Sequence, residues 1–187
     1  MAEKQDSERN VGESGRDKKE ARQDGRAKGL KAPDAGKGLD SPEAGKELDA
    51  LEALAARAEA EALLAKYARF VDAGDAAGVA SLFAEDGELR TADAPPIVGS
   101  RHIGKLYGRL LGAIRASSHI VGAQDVDMGR AAQGAVESHA PFHAWDSYVD
   151  DATPDCTSLG TYDAEIRREP DGRWRIHALT IGFVKQD

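Results

Sequence analysis

The chain has 187 residues, 41% apolar and 31% charged, an ordinary balance for a protein built around one core. Its net charge of −8 argues against nucleic acid or an anionic membrane surface as a partner, and it contains no run of 18 apolar residues to cross a bilayer. With Cys156 as the single cysteine no internal disulfide can form, and the charged start MAEKQDSERN lacks the apolar stretch of a secretory signal; both agree with a reducing, cytoplasmic location.

Residues 1–46 read as a disordered charged tail. They contain no aromatic residue, the first being Tyr67, and are rich in Lys, Glu, Asp, Gly and Ser, so they cannot bury enough surface to offset their ordering entropy. Residues 1–47 hold 11 Lys/Arg and 11 Asp/Glu, which leaves the whole −8 on the remaining 140. A short repeat, PDAGKGLD at 33–40 and PEAGKELD at 42–49, reads as duplicated linker. Its Gly-Lys pairs are not phosphate loops, because no glycine precedes Gly36 or Gly45 by five positions and neither lysine is followed by Ser or Thr.

From Glu47 an Ala-rich helical segment runs to about Asp72, with Leu64, Tyr67 and Val71 on one stripe and Gly74 as its stop. Asp75 is placed to cap a second helix, Ala76 to Phe83, which Asp86-Gly87 ends. A strand near Glu88–Thr91 and a Pro-Pro turn follow. Ser100 then caps a third helix, whose Ile103, Leu106, Tyr107, Leu110, Leu111 and Ile114 form a helical stripe. Beyond it the pattern becomes that of strands: 118–128, 135–149, 158–168 and 173–184, joined by turns at Gly129-Arg130, Asp150–Asp155 and Pro170-Asp171-Gly172. Helices followed by a meander predict an α+β domain over residues 47–187, with three N-terminal helices packed on a strongly curved, mostly antiparallel sheet around a concave interior.

Three stretches carry a family resemblance: Tyr67-Ala-Arg-Phe-Val-Asp72-Ala-Gly-Asp75 with Leu82-Phe83-Ala-Glu-Asp86-Gly87, then Ser117-Ser118-His119-Ile120-Val121-Gly122, then Gly160-Thr-Tyr162 with Asp171-Gly172-Arg173-Trp174-Arg175-Ile176. Together they resemble the SnoaL-like branch of the cone-shaped NTF2-like superfamily, on the side of scytalone dehydratase and bile-acid 7α-dehydratase. The resemblance implies that Asp72 and His119 pair in a pocket, that His143 on the next strand and Tyr67 join them, and that Arg167 or Arg168 takes the place of a pocket arginine. Phe142, Trp145 and Arg168 are the expected substrate-binding residues. The carboxylate base of a ketosteroid isomerase would fall near Thr91, so that chemistry is disfavoured.

These residue types suit elimination. A histidine removes a proton from carbon near neutral pH, a carboxylate fixes its tautomer and stabilises the imidazolium, and a second donor assists the departing oxygen. The implied activity is that of a cofactor-independent lyase, a dehydratase acting on a cyclic or polyketide-like small molecule, in a chain expected to form a homodimer or homotrimer. Each assignment has a plainer counterpart. Asp72 could cap its own turn, His119 and His143 could be packed or surface histidines, and Tyr67 could be core with a satisfied hydroxyl. The spacing His139-x3-His143 lies in a strand pattern broken by Pro141 without a third ligand, so no metal is expected. The alternative to an enzyme is a non-catalytic small-molecule binder or association domain of the same fold.

Overall fold

Alanine and straight-chain residues hold the first helix, α1 (Pro42–Asp72), which begins five residues before the expected Glu47. The computed structural model describes residues 42–92 and 94–186, with side chains from Ala50 to Lys185, so the tail expected over 1–46 lies, all but its last five residues, outside the described residues. On α1, Ala56, Ala60, Leu63, Leu64, Tyr67, Ala68 and Val71 are buried at helical spacing and form the stripe that faces the sheet. Gly74 ends the helix at φ 69°, a backbone conformation that costs glycine little. Asp75 then caps α2 (Ala76–Ser81), its carboxylate accepting the Gly78 N–H at 2.7 Å.

The order of elements departs from three helices followed by a sheet. α2 stops at Ser81, and β1 (Phe83–Thr91) starts where a helix was expected to continue. The Pro-Pro segment is no turn but a strand, β2 (Ala94–Val98), paired antiparallel to β1. It lies at the end of the sheet, and Pro95 and Pro96 fall in the register shift between the Thr91–Ala94 and Leu89–Ile97 pairs, where irregular pairing tolerates a missing N–H. Only then comes α3 (Ser100–Leu111), which buries Ile103, Tyr107 and Leu111. Gly99, at φ 96°, occupies its N-cap position, and no side chain, Ser100 included, caps it.

Ile114, expected to close the third helix, opens β3 (Ile114–Val121). The long strand expected to Met128 breaks after Val121 and resumes as β4 (Asp125–Asp127). Both pair with β5 (Ala135–Tyr148): β3 with residues 142–148, β4 with residues 137–139. Pro141, which has no N–H to offer, sits where one partner gives way to the other. β6 (Cys156–Arg168) and β7 (Trp174–Gln186) complete the meander, and β1 joins β7 in parallel. The sheet order is β2-β1-β7-β6-β5-β3, with β4 beside β5. Register shifts at Leu159/Gly160 and Glu165/Ile166 bend the long strands, as bulges do. The result is an α+β fold whose curved sheet closes over its helices, with fully buried Leu64, Ile103, Tyr162, Ile166, Ile176 and Leu179 at the centre.

Candidate active site

Asp72 is the last residue of α1, and the turn after it already has its cap in Asp75. Its side chain crosses to β3 instead. Oδ1 lies 2.7 Å from His119 Nδ1, and Oδ2 accepts the backbone N–H of His119 at 3.0 Å. A carboxylate only accepts hydrogen bonds, so Nδ1 carries the proton of the neutral imidazole and Nε2 is left with a free lone pair. One carboxylate thus grips both ring and backbone of the same residue. The His119 side chain is 11% exposed and that of Asp72 29%, so the ring is shielded more than the carboxylate that holds it.

Ser117, two residues earlier on the same face of β3, widens the cluster. Its hydroxyl lies 2.7 Å from Asp146 Oδ1 on β5, 3.1 Å from Asp72 Oδ1 and 3.2 Å from His119 Nδ1. One hydroxyl proton serves two carboxylates, and the shorter distance is to Asp146. Ser117 and Asp146 face each other in the β3–β5 register.

His119 and Asp146 stand in the wall of a cavity of about 330 Å³ between α1, α3 and the inner face of the sheet. Rings dominate the rest of the wall. Tyr67 and Tyr107 share a hydrogen bond between their hydroxyls, and Tyr162 packs edge-on to Tyr67 with centroids 5.4 Å apart. Phe142 stacks on Tyr162 at 4.3 Å. Burial pushes the Tyr107 hydroxyl up to about 12, and it raises Tyr67 and Tyr162 above the ordinary phenol value too, so all three remain protonated at neutral pH. The Tyr67–Tyr107 bond consumes one phenolic proton and leaves the other for a ligand. Among the described residues lining the cavity none is lysine or arginine.

The expected site residues are thereby sorted. Asp72, His119, Tyr67 and Phe142 are brought together at or behind the cavity wall. His143, Trp145 and Arg168 are not. β5 alternates from Val136 to Trp145, with Phe142 and Ala144 buried and His143 and Trp145 exposed on the opposite face, so neither of the latter can reach the ligand space. Arg168 lies at the far end of β6 from Cys156 and Ser158, which line the cavity; its Nε is 3.4 Å from the Gly172 carbonyl in the β6–β7 turn. Arg167 also faces outward, toward Glu165. β5 contributes Asp146 and Tyr148 instead, and α3 contributes Tyr107. Two signals pointed to the first and last of these: Asp146 shares the parity of Phe142, and Tyr107 is the one hydroxyl on an otherwise apolar stripe.

A helix-backed, curved sheet around an aromatic cavity, with a carboxylate–imidazole pair at its wall, is an α+β fold of the NTF2-like kind. The family model of the SnoaL-like domain matches residues 52–180, and the chain belongs to that family. Among solved structures, a protein of Novosphingobium aromaticivorans assigned as a scytalone dehydratase is 19% identical with a TM-score of 0.66, covering 73% of this chain and 89% of its own. A hexachlorocyclohexane dehydrochlorinase from Novosphingobium barchaimii is 18% identical with a TM-score of 0.65, over 73% and 92%. A Kribbella flavida protein is 21% identical with a TM-score of 0.64, over 72% and 95%. At these identities the likeness is one of fold. No curated protein matches the sequence.

Proposed function

We propose that this protein is a lyase that needs no cofactor, a dehydratase of a cyclic or polyketide-like small molecule, acting in the cytoplasm as a homodimer or homotrimer. The observation that carries the reading is the Asp72–His119 hydrogen bond of 2.7 Å beside an aromatic-lined cavity. His119 Nε2 takes a proton from the carbon next to a carbonyl, and Asp72 stabilises the imidazolium that forms. The phenolic proton left over by the Tyr67–Tyr107 pair supports the carbonyl oxygen as it gains enolate character. The C–O bond then breaks, the proton on Nε2 passes to the departing hydroxide, and water leaves with His119 neutral again. The structural neighbours support elimination chemistry in general terms, since one is assigned as a dehydratase and another is a dehydrochlorinase.

The test is incubation with a metabolite extract, with mass spectrometry following compounds that lose the mass of water. His119→Ala should lower turnover by about 10²- to 10⁴-fold while circular dichroism stays that of the folded protein. Asp72→Asn should lose a comparable factor, because its amide can donate to Nδ1 and favour the wrong tautomer. Wild-type turnover by His119→Ala would remove the base from this scheme. A tightly held ligand recovered unchanged from the wild-type protein would instead mark a binder.

A further inference from the structure

The cavity wall has a charge pattern that the elimination scheme does not use. Six rings line it, from Tyr67, Tyr107, Phe142, Tyr148, Tyr162 and Phe183, and Asp146 is the one carboxylate among its lining residues. No lysine or arginine is present there to balance Asp146; His119 is its only ionisable basic side chain, and the partner of His119 is Asp72. The Ser117 hydroxyl gives Asp146 a hydrogen bond but no countercharge. A ligand anion entering this space would give up part of its water shell, meet ring faces that carry negative quadrupole density, and approach a carboxylate that no lysine or arginine balances. Repulsion between like charges a few Å apart in such a medium is worth a factor of ten or more in affinity. An uncharged carbonyl or hydroxyl meets phenolic donors instead, kept protonated by burial.

We infer that the cavity selects uncharged ring compounds over anionic ones, and that Asp146 is the residue that sets this preference. The inference rests on the proposed function only in taking the cavity as the substrate site; it does not depend on His119 acting as a base. Isothermal titration of the full-length protein with 2-naphthol and with 2-naphthoate at neutral pH tests it. The two probes share a ring system and differ in charge. Naphthol should bind at least about tenfold more tightly, and should slow alkylation of Cys156, the cavity's thiol, which locates the bound ring. Asp146→Asn keeps an acceptor for Ser117 but removes the charge, and should narrow the gap by improving naphthoate binding. Equal or tighter binding of naphthoate to the wild-type protein, or no binding of either probe, would overturn the inference. An unchanged gap in Asp146→Asn would remove Asp146 as the determinant. The wild-type comparison stands even where that variant does not fold. Naphthol preference without turnover of any compound defeats the lyase reading alone; His119-dependent turnover of a carboxylate substrate defeats the charge selection alone.

Discussion

Tyr67 and Tyr107 place two hydroxyls inside an apolar wall, and each satisfies the other. Deleting one should therefore cost more than deleting both. Tyr67→Phe or Tyr107→Phe leaves a buried oxygen without its partner and should destabilise the protein by about 1–3 kcal/mol. The double variant removes the need along with the partner and should be no less stable than either single one, a non-additivity that urea denaturation can measure. The pair also predicts an alkaline limit. In the unfolded chain both phenols titrate near 10, whereas in the folded protein Tyr107 is raised to about 12 and Tyr67 is raised as well, both because burial disfavours the phenolate. The native state then holds protons that the unfolded chain releases, so their contribution is full below pH 10 and lost as pH rises through 12. The double phenylalanine variant should show a flatter decline over that window.

Gly160 on β6 lies where strand geometry and cavity meet. A Cβ there would fall 2.1 Å from the Gly182 carbonyl oxygen and 2.6 Å from Cε1 of Phe142. Gly160→Ala should cost about 1–3 kcal/mol by overpacking and displace the Phe142 ring that lines the cavity. Gly182→Ala, whose added methyl meets only the rotatable Thr161 hydroxyl at 3.1 Å, should change the stability by under about 1 kcal/mol. This local logic also marks what could be read from sequence. The end of α1, the Asp75 cap and the three long strands were legible because each rests on periodicity or turn chemistry confined to a few neighbours. The β1–β2 hairpin was not, since Ala94–Val98 is a strand only by virtue of its place at the sheet edge. β1 itself depends on a close approach to β7, where a Cβ on Gly87 would lie 2.8 Å from the Ile176 carbonyl oxygen. The site shows the same division. Asp72 and His119 could be named from their motif, but period-two alternation cannot put Phe142 on one face with His143 and Trp145, and that rule alone picks Asp146 on β5.

The outer face of the sheet changes character along its length, and this bears on how whole molecules associate. Toward one end it carries paired charges, with Glu137 beside Arg130, His139 beside Asp163 and Glu165 beside Arg167. Toward the other, Ile120, Trp145 and Leu159 are 64%, 39% and 42% exposed on three adjacent strands, with His143 between Ile120 and Leu159 in the register. A solvated antiparallel face would be polar throughout. A second copy of the same patch would cover these side chains while the charged end stays in water, which is the isologous contact of a two-fold dimer. Light scattering should then find the wild-type protein as a dimer. Trp145→Glu, which sets a carboxylate at the centre of the patch, should yield monomer. Because the Trp145 side chain points away from the cavity, naphthol affinity should survive the change. A wild-type protein that is monomeric at micromolar concentration would withdraw the association and leave the cavity argument intact, since no residue of the outer patch lines the site.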